Sequence, residues 1–178
     1  LSDMKVRQAL SMAIDRQILV DVGYGAGGAP TCNVIPAPAA WASDNTGCIA
    51  QDMEGAKKLL DEAGWVAGAD GIREKDGKKL KLMYQSTVNP IRQDFQALIK
   101  DWWTEIGVEV ELKSIDPGVF FGGDPGSPDT FQKFYADVEM YANNSESPDP
   151  ETYLGQYQCK NAPSPETQWQ GENINRFC

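Results

Sequence analysis

The 178-residue chain is 41% hydrophobic and 24% charged, and its formal net charge at pH 7 is −10. This is the composition of a globular protein that can bury a full hydrophobic core. The negative charge argues against nucleic acid and anionic membranes as partners, because both are bound through basic patches. The sequence shows no apolar stretch long enough to span a bilayer and no signal peptide. The abrupt ends at Leu1 and Cys178 lead us to expect an excised piece of a longer chain.

Four cysteines lie in segments that read as loops. Their even number and their spacings of 16 and 19 residues favour two local disulfides, Cys32–Cys48 and Cys159–Cys178, although the two other pairings also fit the sequence. The loop-entropy model assigns each favoured bridge about 3 kcal/mol. Disulfides indicate an oxidising compartment. Because the chain has no histidine and no CxxC motif, we expect no metal site.

The first stretch of the chain predicts one long helix. Asp3 can cap this helix, which runs to about Val22. Its apolar residues recur at helical spacing on one face: Val6, Leu10, Ala13, Ile14 and Ile18. Asp15 and Arg16 fall on the other face, where we expect a solvated pair.

A loop and a second helix follow. Prolines prevent regular structure through residues 29–51. Asp52 caps a helix over residues 53–63, and Gly64 ends it at the C′ position. The buried stripe of this helix is Ala56, Leu59, Leu60 and Ala63. Two Asp-Gly pairs within residues 70–77 then indicate a short charged hairpin.

The middle of the chain reads as a βαβ unit. Residues 80–85 form a strand, residues 86–90 a polar loop, and residues 91–106 a helix. The apolar stripe of this helix is Ile91, Phe95, Leu98, Ile99, Trp102, Trp103 and Ile106, so both tryptophans are expected in the core. Gly107 ends the helix, and residues 108–112 alternate as the next strand. The two strands should be parallel.

Residues 137–154 predict half of a ligand cleft. Val138 and Met140 alternate with polar residues as a strand, which opens into the polar run 143–147. Prolines close this run, and residues 151–157 read as a short helix. Open α/β sheets place ligand sites where a strand opens into such a loop. The alternative is an ordinary solvated connection.

Catalysis and cofactors are not expected from this sequence. A hydrolase needs a nucleophile and a base to activate it, and the chain has no histidine, no GxSxG and no SxxK motif. Glu146 and Asp149 are paired carboxylates, but a loop bounded by prolines fixes no useful geometry between them. A carboxylate there is better placed to pair with an ammonium group of a ligand.

Several segments together resemble the second lobe of the extracellular solute-binding proteins of ABC importers, the group that contains the oligopeptide- and dipeptide-binding receptors. The segments follow the family's order: VRQALSMAIDR at residues 6–16, AKKLLDEAGW at 56–65, the turns at 70–73 and 76–77, the junction at 106–108, and Trp169, Gly171, Asn173 and Arg176 near the end. They extend over nearly the whole chain. The combination is therefore more specific than any one segment.

The resemblance implies an α/β fold, a periplasmic-binding-protein-like (type II) lobe with a mixed β-sheet flanked by helices. Residues 1–178 would form a single lobe, the C-terminal ligand-binding lobe, of a larger two-lobed protein. The ligand would be a peptide held between the lobes for import, and the other partner would be the membrane permease of an ABC importer. We expect a monomer in the periplasm or outside the cell, anchored through a lipoprotein N-terminus that this sequence lacks.

The resemblance also implies which residues face the ligand: Asn143, Asn144, Ser145, Glu146, Asp149, Ser86 and Thr87. Glu146 falls where the peptide receptors carry an aspartate for the peptide's α-ammonium group, whereas Asn143 replaces the usual aromatic residue. Ser86 and Thr87 stand where dipeptide receptors place an arginine, so free dipeptides are doubtful ligands. Longer peptides remain the expected ligands. Asn143, Asn144 and Ser145 would also suit sugar hydroxyls, so oligosaccharides or another small solute are the alternative.

Overall fold

A computed structural model describes residues 1–144, 147–176 and 178. The chain begins with two helices, α1 (Met4–Met12) and α2 (Arg16–Gly23), and not with the single predicted one. Asp3 caps α1 as predicted. The break follows from Asp15, whose side chain accepts a hydrogen bond from the backbone N–H of Ile18 at 3.0 Å and caps α2.

Arg16 is a structural residue, which corrects the prediction of a solvated Asp15–Arg16 pair. The guanidinium is partly buried and donates to the backbone oxygens of Ser11 at 3.0 Å and Cys48 at 2.7 Å. It also donates to the Ser11 hydroxyl at 2.8 Å. Burial lowers the pKa of Arg16 below its ordinary value. The residue therefore ties the α1–α2 turn to the following loop.

The predicted disulfide Cys32–Cys48 is confirmed. A short 3₁₀ turn (Gly25–Gly27) follows α2. The disulfide then closes a loop that contains no helix or strand. Helix α3 (Met53–Glu62) follows, capped by Asp52 as predicted, and Gly64 takes a φ of +84° just beyond it. This left-handed conformation favours glycine.

The predicted hairpin belongs to a three-stranded antiparallel sheet in the order β1-β2-β3. Its strands are β1 (Val66–Ala67), β2 (Arg73–Lys75) and β3 (Lys78–Lys79). Asp76 and Gly77 both have positive φ at the β2–β3 turn. This is the backbone geometry that an Asp-Gly turn requires.

The predicted βαβ unit is confirmed. Strand β4 (Lys81–Thr87), helix α4 (Pro90–Glu105) and strand β5 (Glu109–Ile115) follow one another, and the strands pair in parallel. Strand β6 (Val138–Glu139) pairs in parallel on the other edge of β4, so the sheet order is β5-β4-β6. The α/β prediction holds, with parallel and antiparallel strands in two separate sheets.

The main hydrophobic core lies between one face of the parallel sheet and helices α1, α3 and α4. Trp103 is 3% exposed, whereas Trp102 is only partly buried and packs on the core's margin. The Gln96 side chain is also buried in α4, and its amide donates to the Tyr84 carbonyl at 2.9 Å. This hydrogen bond fixes α4 on the sheet.

The last third of the chain is mostly irregular. Its short elements are α5 (Pro117–Phe120), β6, α6 (Glu151–Gly155) and a 3₁₀ turn (Cys159–Asn161). Helix α6 begins where predicted and ends two residues early. Across the described residues, no helix is long and apolar enough to cross a membrane.

The second predicted disulfide is absent from the structure, where Cys159 and Cys178 are free, exposed thiols. The two thiols nevertheless interact, since hydrogen bonding to Cys159 raises the pKa of Cys178 above its ordinary value. Asn173 brings the two segments together, because its amide donates to the carbonyls of Tyr157 and Gln158 at 3.2 Å each. The segments that carry the two cysteines therefore lie side by side, although the predicted disulfide between them is not formed.

Candidate functional site

The chain leaves the parallel sheet directly after β6. Val138 and Glu139 pair with Tyr84 and Gln85, and the backbone N–H of Met140 donates to the Gln85 carbonyl at 3.1 Å. Residues 141–144 then run beyond the carboxyl end of the strand without regular structure. Parallel sheets place ligand sites at this edge. The predicted loop therefore starts where a binding site is expected.

A cavity of about 670 Å³ lies beside this segment, and we call it the amide cavity. Five side-chain amides line it: Gln132, Asn143, Asn144, Gln156 and Gln170. Its aromatic lining is Phe121, Phe131, Tyr141 and Tyr153. The one charged residue among the described lining residues is Glu172. The cavity thus offers hydrogen-bond donors, acceptors and aromatic surface with little charge.

An aromatic cluster holds one wall of the amide cavity. Phe120 is fully buried, and its ring centroid lies 4.9 Å from that of Phe121 and 5.7 Å from that of Phe131. Tyr141 completes the cluster, with its ring 5.3 Å from Phe131. The Phe120–Phe121 and Phe131–Tyr141 pairs are edge-to-face, and the Phe120–Phe131 pair is tilted. Aromatic pairs of this kind fix ring orientation and add about 0.5–1.5 kcal/mol per pair. Three of the four aromatic rings that line the cavity are therefore held by their packing on Phe120, namely those of Phe121, Phe131 and Tyr141.

A second cavity of about 860 Å³ adjoins the first, and we call it the loop cavity. One side consists of residues 33–38, from the loop closed by the disulfide. The other side includes Ser147 and Pro148. Three residues line both cavities: Asn143, Asn144 and Tyr153. The two cavities are therefore neighbours across one short partition.

The structure brings together part of the predicted ligand-binding set. Asn143 and Asn144 line both cavities, and the Asn143 amide donates to Gln156 Oε1 at 2.9 Å. Ser145 and Glu146 lie outside the described residues. Asp149 lines neither cavity, and its carboxylate accepts a hydrogen bond from the backbone N–H of Glu151 at 2.9 Å. Asp149 thus supports the start of α6.

Ser86 and Thr87 were predicted in a polar loop, and this placement is wrong. Both belong to strand β4 and are buried, with exposures of 0% and 8%. The Ser86 hydroxyl donates to the Met140 carbonyl at 2.7 Å, so it joins β4 to the segment that leaves β6. Neither residue lines the two cavities. Pairing with β5 up to Ile115 is what extends the strand.

Most of the residues that line the two cavities were not predicted from the sequence. Tyr153 and Gln156 lie in or just after α6, and residues 170–172 come from the terminal segment. Residues 33–38 are more than 100 positions away from Asn143. Apart from Gly171, none of these residues belongs to a motif, and single amides and aromatics in loops carry no local signal of a cavity.

Strand β6, which leads into the segment beside the amide cavity, carries an unusual carboxyl group at Glu139. Glu139 accepts a hydrogen bond from the Gln85 amide at one oxygen, whereas its Oε2 is buried without a partner among the described residues. Gln132 Oε1 is likewise buried and unpaired there. Burial raises the pKa of Glu139 to about 7, and the hydrogen bond from Gln85 and the charge of Arg176 oppose the shift. Glu139 therefore exchanges its proton near neutral pH.

Replacing Glu139 with glutamine should raise stability at pH 8 and leave it unchanged at pH 4. The folded protein holds the Glu139 proton up to a pKa of about 7, whereas the unfolded chain loses it near 4.5. The contribution of Glu139 to the stability of the fold is therefore fully present below pH 4.5 and is lost as the pH rises through 7. Discounted for partial exposure, the difference is about 1–2 kcal/mol. Urea denaturation at pH 4, 6 and 8 measures it.

The exposed Glu111, which pairs with Lys81, provides the matched control. Glu111→Gln should leave the dependence of stability on pH as it is in the unmodified protein. A Glu139→Gln variant whose stability changes with pH in parallel with the unmodified protein would contradict the assignment.

The described residues contain no group of three or more histidine, cysteine or acidic side chains able to hold a metal ion.

Comparisons with known proteins agree with this architecture. The family model described as "Bacterial extracellular solute-binding proteins, family 5 Middle" matches residues 1–164. The oligopeptide-binding protein AppA of Bacillus subtilis is 30% identical over 119 residues, which cover 64% of this chain and 22% of AppA.

Two solved structures show the same fold. The oligopeptide-binding protein from Thermus thermophilus, complexed with a pentapeptide, superposes with a TM-score of 0.72 and 25% identity over 97% of this chain and 30% of its own. NikZ from Campylobacter jejuni in complex with Ni(L-His) gives a TM-score of 0.74 and 23% identity over 98% of this chain and 33% of its own, a likeness of fold alone. The chain thus spans about a third or less of these relatives. The match over residues 1–164 shows that the chain belongs to family 5 of the bacterial extracellular solute-binding proteins.

Proposed function

We propose that residues 1–178 form one lobe of the substrate-binding component of an ABC importer, which binds peptides between this lobe and a second one. The observation that carries the proposal is the pair of adjoining cavities that meet at Asn143, Asn144 and Tyr153. The protein acts outside the cytoplasm as a monomer, delivers its ligand to a membrane permease, and is held at the membrane by a lipid anchor.

The lining of the cavities suits a peptide backbone. Each side-chain amide can donate and accept hydrogen bonds, as the peptide groups of an extended ligand require. Because the amide cavity has five such side chains and one carboxylate, it favours uncharged backbone over a highly charged solute. The pentapeptide in the Thermus relative and the name of AppA support the same ligand class.

Glu146 is the proposed partner of the peptide's α-ammonium group. It lies in the sequence between Asn144 and Ser147, and both of these neighbours line the loop cavity. A carboxylate at this position can form a charge-assisted hydrogen bond with an ammonium group, which is stronger than a neutral one. The assignment rests on this position and on the resemblance to the peptide receptors.

Replacing Glu146 with glutamine in the complete two-lobed receptor should weaken binding of a pentapeptide with a free amino terminus about 30-fold, or about 2 kcal/mol. N-acetylation of the peptide should weaken binding to the unmodified receptor similarly. The variant should no longer distinguish the two peptides. Isothermal titration calorimetry measures all four affinities.

Asp149→Asn is the matched control, because Asp149 is in the same loop and lines neither cavity, and the variant keeps the side-chain oxygen that accepts from the backbone N–H of Glu151. Its affinities should equal those of the unmodified receptor. Equal binding of free and acetylated peptide by the unmodified receptor would remove Glu146 from the site.

Oligosaccharides are the second candidate, because amides combined with aromatic rings also suit sugar hydroxyls and ring faces. A thermal-shift screen of the two-lobed receptor against a pentapeptide pool and an oligosaccharide panel separates the candidates, since specific binding raises the melting temperature. A shift with peptides alone supports the proposal. A shift with sugars alone reassigns both cavities to hydroxyl recognition.

A further inference from the structure

Four residues that carry the resemblance to the family surround the part of the terminal segment that lines the amide cavity. They are Trp169, Gly171, Asn173 and Arg176, and the lining part is residues 170–172. This part belongs to no helix or strand and lies outside the main hydrophobic core. Its place at the cavity wall therefore depends on the contacts of the residues around it.

The backbone next to this wall has a conformation that most residues avoid. Gln168 has a φ of +53° and Trp169 a φ of +62°. The left-handed region crowds the Cβ atom of an ordinary residue, so two consecutive non-glycine residues stay there only where other contacts hold them. Gly171 has a φ of +146°, and a Cβ atom there would lie 2.3 Å from the carbonyl oxygen of Asn161. The segment is thus constrained on both sides of Gln170.

The contact that holds Trp169 is an ammonium group. Lys133 is 7% exposed, and its Nζ lies 5.5 Å from the Trp169 ring centroid and 5.9 Å from that of Tyr135. The Nζ also donates to the Pro125 carbonyl at 2.8 Å. Within the described part of the chain, Lys133 forms no ion pair. A desolvated cation without a counter-ion depends on ring faces and carbonyl oxygens, so the Lys133–Trp169 contact stabilises both partners.

The far side of the wall is also anchored. Asn173 is fully buried, and its backbone N–H donates to the Asn161 carbonyl at 2.9 Å. The Arg176 guanidinium donates to the Lys133 carbonyl at 3.3 Å. Residues 170–172 are therefore held from both directions, and Lys133 takes part at both ends.

We propose that Trp169 is a positioning residue for the amide cavity: its ring, held on the Lys133 ammonium group, keeps the Gln170 amide and the Glu172 carboxylate at the cavity wall. Neither Trp169 nor Lys133 lines either cavity, so both act on a ligand only through the wall residues. This inference rests on the proposed function, because the wall affects binding only where the ligand occupies the amide cavity.

The first test measures affinity in the complete two-lobed receptor. Trp169→Leu and Lys133→Met should each weaken the binding of penta-alanine about tenfold in isothermal titration calorimetry, because the ligand must then order the wall at its own cost. Trp169→Phe keeps a ring over the ammonium group, so its affinity should stay within about threefold of that of the unmodified receptor. Unchanged penta-alanine binding by Trp169→Leu and Lys133→Met would overturn the positioning role and leave the peptide function standing.

The second test reads the segment directly, by hydrogen exchange and mass spectrometry without ligand. The backbone N–H groups of Trp169 and Gln170 donate to the carbonyls of Ser164 and Thr167 at 2.8 and 3.0 Å. In both variants, amides within residues 164–173 should exchange about tenfold faster or more, whereas those of β4 and α4 should exchange as in the unmodified protein. A loss of affinity with unchanged exchange in this segment would overturn the proposal.

Arg92→Met is the matched control. The Arg92 guanidinium also lies over an aromatic ring, 5.8 Å from the Phe95 centroid, and Arg92 lines neither cavity. This variant should change neither the affinity for penta-alanine nor the exchange of residues 164–173. An equal effect of Arg92→Met would show that loss of any such contact loosens the lobe, which would contradict the specific role of Trp169.

A double-mutant comparison separates positioning from general stability. In the Gln170→Ala/Glu172→Ala background, Trp169→Leu should change the affinity by less than about twofold, because the two groups that it positions are gone. A tenfold effect that persists in this background would overturn the positioning role.

The two proposals fail in different ways. Failure of the unmodified receptor to bind penta-alanine would overturn the peptide function. The exchange measurement uses no ligand, so it would still confirm or contradict the ordering of residues 164–173 by Lys133 and Trp169.

Discussion

Replacing Trp103 with alanine should lower the free energy of unfolding by about 3–5 kcal/mol. The side chain is 3% exposed and lies in the core between the helices and the parallel sheet. Its ring packs on Tyr84 with centroids 5.6 Å apart, and its Nε1–H donates to the Leu10 carbonyl at 2.9 Å. The variant therefore leaves a large cavity and an unpaired buried carbonyl. Urea denaturation followed by circular dichroism measures the loss.

Two further variants separate packing from hydrogen bonding. Trp103→Phe keeps most of the ring volume and loses the donor, so about 1–3 kcal/mol should be lost. Trp102→Ala removes the same side chain one position earlier, where it is only partly buried, and should cost less than Trp103→Ala. Equal losses at Trp102 and Trp103 would contradict the account, because burial would then not decide the effect.

The tryptophan pair shows how far local pattern predicts the core. Helical spacing places both residues on the apolar stripe of α4. The stripe is wider than the contact surface, however, so Trp103 enters the core and Trp102 lies at its margin. The periodic pattern predicts a face of the helix, and the positions of neighbouring helices decide how much of that face is covered.

Some helix and strand ends are set by local sequence signals and are predictable, whereas others depend on distant contacts and are not. Asp52 and Gly64 are local signals and predict the ends of α3 to within a residue. The apolar periodicity continues through Asp15 and predicts an unbroken helix, although aspartate is a strong N-cap and the structure uses it as one. The position of Ser86 depends on pairing with a distant strand and on the Met140 carbonyl, which no local pattern reveals.

Only one part of the cavity lining is predictable from the sequence, the segment that contains Asn143 and Asn144. The polar run after β6 indicates Asn143 and Asn144, because the strand-to-loop transition is visible in the sequence. The remaining walls come from segments as far apart as residues 33–38 and 170–172. Their meeting depends on tertiary packing, so only the fold shows that the disulfide-closed loop lines one of the two cavities.

Replacing Arg73 with alanine should also lower the free energy of unfolding by about 3–5 kcal/mol. The side chain is 6% exposed, and its guanidinium donates to the carbonyls of Ile106 at 2.7 Å and Trp65 at 2.6 Å. A third hydrogen bond reaches the Asp61 carboxylate. Without the guanidinium, two backbone oxygens lose their partner and a cavity remains.

Two substitutions distinguish the geometry of the guanidinium from its charge. Arg73→Lys keeps the charge, but an ammonium group lacks the planar fork that reaches several acceptors, so about 2 kcal/mol should be lost. Asp61→Asn keeps an acceptor oxygen, and the Asp61 side chain is 61% exposed, so about 1 kcal/mol or less should be lost. A larger loss for Asp61→Asn than for Arg73→Lys would show that the ion pair, and not the carbonyl contacts, is what Arg73 contributes.

Ligand affinity provides a second measurement for Arg73. Its partner Ile106 precedes β5, so the contacts lie at the amino end of the parallel sheet, whereas the cavities lie beyond the carboxyl end of β6. In the proposed two-lobed receptor, Arg73→Ala should therefore lower the melting temperature while pentapeptide affinity stays within about twofold at a temperature where the variant is folded. A parallel loss of affinity would mean that the two ends of the sheet are coupled, and the site could not be treated as independent of the scaffold beneath it.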